Sequence, residues 1–141
     1  MLTLPDIQRM SMVVSNLEDQ LLAMPQVDLV TENVIHGGMC ARTIFIPAGT
    51  LLTGALTNID NICVVQGDIV VTTDDGSKRL TGFNVIPANA GIKRVGLAYA
   101  DTWWSMIWPT SKTDVTEIED EMSSESEKLA SRRILNIGGV V

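Results

Sequence analysis

The residues able to do covalent or metal chemistry are few and poorly spaced for it. His36 and Cys40 stand four apart, with Gly37-Gly38 between them. A Cys–His couple works only when the imidazole faces the sulfur, and two glycines make a loop with no fixed facing geometry. His36, Cys40, Asp60 and Cys63 carry ligating atoms. A catalytic metal centre needs three protein ligands and an open position, and nothing in this spacing gathers such a set. His36 therefore reads as a turn histidine, and both cysteines as reduced, buried small hydrophobes. No phosphate-cradling glycine loop or dinucleotide fingerprint occurs. No catalytic residue, metal or cofactor is assigned.

Binding chemistry is better supplied. Trp103, Trp104 and Trp108 fall within six residues, and indole rings make a stacking wall for a planar ligand or a partner. Lys78-Arg79 and Lys93-Arg94 are the basic pairs of the central region. Neighbouring strand residues face opposite ways, so one member of each pair can enter a pocket. Alternation groups Asn61, Cys63 and Val65 on one face, and Tyr99 with Trp104, Met106 and Trp108 on another. Which faces point inward stays open, because one bulge swaps them. The expected ligand-binding set is Thr57, Asp60, Asn61, Lys93, Arg94, Tyr99 and Trp104.

Positioning these residues requires a core. The chain has 141 residues, 45% of them hydrophobic, which suits one domain without disulfide or metal support. No apolar run approaches the roughly 20 residues of a membrane helix. The N-terminus lacks the basic start and apolar stretch of a secretory signal, so a cytosolic protein away from membranes is expected. Net charge is −7. Nucleic acid is bound through Lys and Arg with counterion release, so this acidic chain is a poor candidate for it. A small anion needs only a few local cations.

Three stretches differ in pattern. Pro5 to Met24 reads as a helix: Pro5 suits the first turn and Asp6 its positive end. Ile7, Met10, Val14, Leu17, Leu21 and Met24 form a heptad seam that packs on the chain's own barrel or on a second copy. Short strands follow at Ala41–Pro47, Asn61–Gln66, Asp68–Thr73, Phe83–Pro87, Arg94–Ala100 and Trp103–Trp108. Asp75-Gly76 marks a hairpin turn. Strands without intervening helices indicate an antiparallel sandwich or barrel. Beyond Pro109, Asp and Glu precede Lys and Arg along Thr113 to Arg133, with a thin stripe of Val115, Ile118, Met122 and Leu129. That pattern predicts a solvated helix or an arm ordering on a neighbour. The apolar end Ile134–Val141 calls for docking. The expected organisation is a helix over 1–26, a barrel over 27–110 and an arm over 111–141.

The stretch from Ile46 to Asp68 resembles the first signature of the cupin family. There, two histidines one residue apart precede a glutamate and then a glycine seven positions on, and the preceding strand often enters through a Pro-x-Gly turn. Here Pro47-Ala48-Gly49 leads to Gly54, Asp60 and, seven residues on, Gly67-Asp68. The family's second signature runs Pro, Gly, His; here Pro87, Gly91 and Lys93-Arg94 follow that order, stretched by two residues. Neither stretch holds a histidine. The resemblance implies an all-β, cupin-like antiparallel barrel (jelly roll) without the family's metal ligands, flanked by the N-terminal helix and the C-terminal charged helical arm.

Over Ala41 to Arg133 the combination looks like small cupin-like proteins of tailed bacteriophages. The residues that carry this are Arg42 to Thr50, Gly67-Asp68-Ile69, Gly91 to Gly96, Asp101-Thr102-Trp103-Trp104 and Glu117-Ile118-Glu119. It implies a non-catalytic homo-oligomer in the host cytoplasm. Such a protein binds or sequesters a small anionic or planar ligand, such as a nucleotide-derived host immune signal. The alternative is a virion-associated structural or assembly protein; a residual cupin-type enzyme is the third reading.

Overall fold

A computed structural model describes residues 4–23, 29–73 and 76–129. Helix α1 spans Leu4–Leu22. Seven strands follow: β1 Thr31–His36, β2 Met39–Ile46, β3 Leu51–Thr53, β4 Asn61–Thr73, β5 Gly76–Ala88, β6 Val95–Ala98 and β7 Thr102–Pro109. Helix α2 covers Val115–Met122, and a single 3₁₀ turn covers Ser126–Lys128. The strands form one curled antiparallel sheet in the order β1-β2-β7-β4-β6-β3, with β5 also paired to β4. The all-β half-barrel with a helix at either end is the architecture expected. Among the described residues no helix is long and apolar enough to cross a membrane.

Two expected strands are in fact one. Asn61–Gln66 and Asp68–Thr73 join through Gly67 into β4, which pairs β5 over its whole length. Its other edge pairs β7 through Ile62–Gln66 and then β6 through Ile69–Val71. Gln66-Gly67-Asp68 looks like a break because glycine weakens strands; here it is the point where the strand changes partner. Strand β5 starts seven residues earlier than expected, and Thr73 pairs Gly76 across the hairpin. Pro87 is tolerated because β5 pairs β4 alone and leaves its other edge free of ladder bonds. Strands β1 and β3 escape pattern reading: β1 carries Glu32 and Asn33 and lies at a sheet edge, and β3 has only three residues.

The apolar alternation fills two joined cores. Ile46, Cys63, Val65, Ile69, Val71, Leu80 and Ala98 meet inside the curl. Cys40 and Trp108 meet Ile118 and Met122 of α2. The expectation of a solvated or neighbour-ordered arm is thereby corrected for its described part. Asp114 caps α2 by accepting from the Glu117 amide at 3.1 Å. The thin stripe is enough because Ile118 and Met122 are almost fully buried against the sheet.

The described part of the α1 seam also faces its own barrel. Val14 is buried and Leu21 lines the interior. The side chains of Ile7 and Met10, the residues Met24 and Asp74-Asp75, and the end Ile134–Val141 lie outside the described residues.

Candidate functional site

The concave side of the sheet encloses a cavity of about 390 Å³. Strand alternation decides its wall. Ile44 and Ile46 from β2, Cys63, Ile69 and Val71 from β4, and Trp104 and Met106 from β7 all point inward. Leu21 and Leu22 of α1 close one side, and Met122, Lys128 and Leu129 another. The lining is chiefly apolar with a few polar groups, the composition of small-molecule sites.

Four of the seven expected site residues line this cavity: Thr57, Asn61, Arg94 and Trp104. Asn61 is committed to local bonds. Its amide donates to the Ile59 carbonyl at 3.3 Å, and its oxygen accepts from the Cys63 thiol at 3.2 Å. The other three stand elsewhere. Asp60 holds a turn, accepting from the Ala90 amide at 2.8 Å. Tyr99 is 55% exposed, with the Arg79 guanidinium 4.9 Å above its ring. Arg79 also grips Asp68 through two bonds, at 2.9 and 2.7 Å, and this grip first of all holds the Asp68 carboxyl below its usual range.

Lys93 is buried in an ion ring. Its Nζ lies 2.9 Å from Glu18 Oε1 and 2.5 Å from Glu125 Oε1. Lys128 closes the ring at 3.0 Å from Glu18 and 3.3 Å from Glu125. Thr53 donates to Glu18 and the Leu56 amide donates to Glu125. Two ammonium groups thus balance two carboxylates, and α1, the β3 region, the segment before β6 and the C-terminal turn are tied together beside the cavity.

A second buried pair, Arg42–Glu119 at 2.8 Å, ties β2 to α2. Glu18, Glu119, Glu125 and Lys128 were not among the expected site residues. Their faint signal is a charged residue at an inward-facing position, as with Arg42 between Cys40 and Ile44.

Burial alone raises the Glu125 carboxyl. The bonds from Lys93, Leu56 and Lys128 overcome it and hold the pKa at about 2, against an ordinary 4.5. A depressed carboxylate stabilises the fold above its ordinary pKa, and that contribution fades as pH falls through the folded value. Stability should therefore drop between pH 4.5 and about 2, by roughly 3 kcal/mol from this group. Urea midpoints measured against pH check this: Glu125→Gln should flatten the acid limb, and an unchanged limb would contradict it.

Neither thiol is poised to attack. Burial pushes Cys40 up against a weaker opposing pull from Arg42. Burial likewise pushes Cys63 up, against the Arg94 guanidinium and a bond from Trp104. His36 lies exposed at the β1–β2 turn, on the rim away from Cys63. Among the described residues no three of His, Cys, Asp and Glu gather in a group able to hold a metal ion.

Across β2, β7, β4 and β5 the opposite face of the sheet is uncharged over three adjacent rows, with Glu32 of β1 at the edge of the middle one. Phe45, Trp103, Gln66 and Phe83 lie side by side across β2, β7, β4 and β5. Thr43, Ser105, Val64 and Val85 form the next row, and Ala41, Ile107, Ile62 and Pro87 the third. Phe83 is 67% exposed and Val85, Ile62 and Trp103 about half exposed. Trp103 packs its ring on Phe45 at 4.7 Å between centroids.

No family model matches the chain, and no curated protein matches it. Similar solved structures come from bacteria. A cupin superfamily protein from Desulfitobacterium hafniense is 13% identical, with a TM-score of 0.49 over 62% of this chain and 83% of that one. The cupin domain of an XRE family transcriptional regulator from Enterobacter cloacae is 13% identical, with a TM-score of 0.48 over 59% and 99%. A cupin-domain protein from Shewanella frigidimarina is 14% identical, with a TM-score of 0.46 over 71% and 98%.

Proposed function

We propose that this protein is a non-catalytic, self-associating container that binds a small ligand inside its half-barrel. The observation that carries the reading is the 390 Å³ apolar cavity beside which a guanidinium and an indole are held. Arg94 and Trp104 are groups that bind; the nearby thiol is held protonated by burial. The finer reading follows the sequence resemblance: a tailed-phage protein working in the host cytoplasm, sequestering a nucleotide-derived host immune signal. Calorimetry with cyclic nucleotides and ADP-ribose derivatives tests it on the native assembly. Micromolar binding supports sequestration of such a signal; no binding removes that ligand class.

Self-association is supported by the uncharged outer face. On a chain of net charge −7, a face that exposes Phe83, Val85, Ile62 and Trp103 together is a liability unless covered. A two-fold axis through it would lay the same rows on each other, an isologous contact that buries no charge. Sedimentation should show an oligomer that Phe83→Glu and Ile62→Glu convert to monomer. Ligand binding should survive in both, since neither residue lines the cavity. A wild-type monomer would sink this part of the reading.

A further inference from the structure

We infer that the cavity selects a small amphiphilic monoanion, its carboxylate or phosphate oxygens on Arg94 and its apolar body against Trp104, Met106 and Ile69. This rests on the container reading alone and narrows it to singly charged ligands, away from the multiply charged ADP-ribose derivatives. Cations in a cavity wall matter only if they are free. Lys128 faces Glu18 and Glu125, Lys93 faces the same two, and Arg42 faces Glu119. Arg94 is left: among the described residues its polar partner is the Thr72 carbonyl, 3.5 Å from Nη1, and it has no carboxylate within ion-pair distance. A guanidinium carries five donors in a planar fork, so most of its capacity is unused.

The head group points inward. Arg94 lines the cavity, and its charge acts on the Cys63 thiol, which is 2% exposed in the core. Its backbone is anchored, because the Arg94 carbonyl accepts from the Gly54 amide at 2.9 Å. Among the described residues, Arg94 is thus a positive charge without an ion-pair partner in a chiefly apolar wall. A single anionic group would meet it by a charge-assisted bidentate bond. A second anionic group would have to compete for Arg42 or Lys128, which already hold carboxylates, or face the Glu18 carboxylate, the wall threonines or hydrocarbon. The volume sits at the low end of the range for ligand pockets, about 300–1,000 Å³, which favours a compact body.

The test compares 3-phenylpropionate with its neutral amide, 3-phenylpropionamide, by calorimetry and by the Trp104 indole resonance in the wild-type protein. The carboxylate should bind at least about tenfold tighter than the amide. Arg94→Met should abolish that preference and change amide binding by less than about threefold. Equal binding of the two probes to wild type would overturn the inference and leave the container standing. So would a preference that survives Arg94→Met. A Trp104 resonance that neither probe moves at millimolar concentration would remove both readings. The wild-type ratio decides the matter even if the variant does not fold.

Discussion

Lys93→Met should cost about 3–5 kcal/mol of folding stability, the loss expected when one partner of a buried ion pair is removed. The Lys93 side chain is 1% exposed and that of Glu18 is 6%. Removing the ammonium leaves two carboxylates facing each other across a site built for a cation. Lys128 remains, 3.0 Å from Glu18 and 3.3 Å from Glu125, but it is 31% exposed and one ammonium cannot balance two carboxylates. The damage should not be local. Glu18 links α1 to Thr53 of β3, and Glu125 links the C-terminal turn to Leu56, so repulsion between the two carboxylates strains both closing elements. Urea melts of Lys93→Met, Glu18→Gln and the double variant form the measurement. The double variant should recover part of the loss, because the uncompensated charge goes with it. A single-variant cost below about 1 kcal/mol would show the ring to be no stronger than a surface pair.

Gly67→Ala should be as severe, for a reason of space. A Cβ there would press into Thr102 Oγ1 and lie 2.7 Å from both the Asp101 carbonyl oxygen and Thr102 Cα, and the backbone φ is +148°. Two of these neighbours are main chain and cannot swing away. Thr102 is fully buried, and its hydroxyl is already bonded to the Ala100 carbonyl at 2.9 Å and the Asp68 amide at 3.2 Å. The variant must therefore separate β4 from the start of β7, at an expected cost of about 3 kcal/mol or failure to fold. Gly82 is the internal control. It pairs Gly67 across the ladder and has φ +70°, but nothing lies within 4 Å of its Cβ position. Gly82→Ala should cost about 1–2 kcal/mol of backbone strain alone. Equal costs for the two variants would contradict the crowding argument.

Gly67 also shows how much of the fold could be read from residue order. The glycine seven positions after Asp60 was the mark of the barrel signature, and its spacing is meaningful because the close strand crossing at Thr102 excludes any side chain. What spacing could not show is that the strand runs through that glycine. The helix seam was legible as a 3.5-residue repeat. Its direction was not, since packing on the chain's own sheet and packing on a second copy bury the same stripe. The α2 stripe looked too thin to dock because Trp108 and Cys40, the residues that meet it, lie on other strands.

The site divides the same way. Trp104, Arg94 and Asn61 could be named from residue type and alternation, and Thr57 from its place beside Asp60. Asp60 and Tyr99 carry the same chemistry but serve a turn and an outer cation–π contact.

Residue order by itself determined the strand periods, the turns, the shortage of reactive groups and the presence of a basic pair at Lys93-Arg94. Only the tertiary structure decided which of those two cations is free. Glu18 lies 75 residues before Lys93 and Glu125 lies 32 after it, and no local pattern announces that they converge. A charge is neutralised by whatever comes within a few ångströms in space, so folding, not sequence neighbourhood, ties up Lys93 and leaves Arg94 facing the cavity.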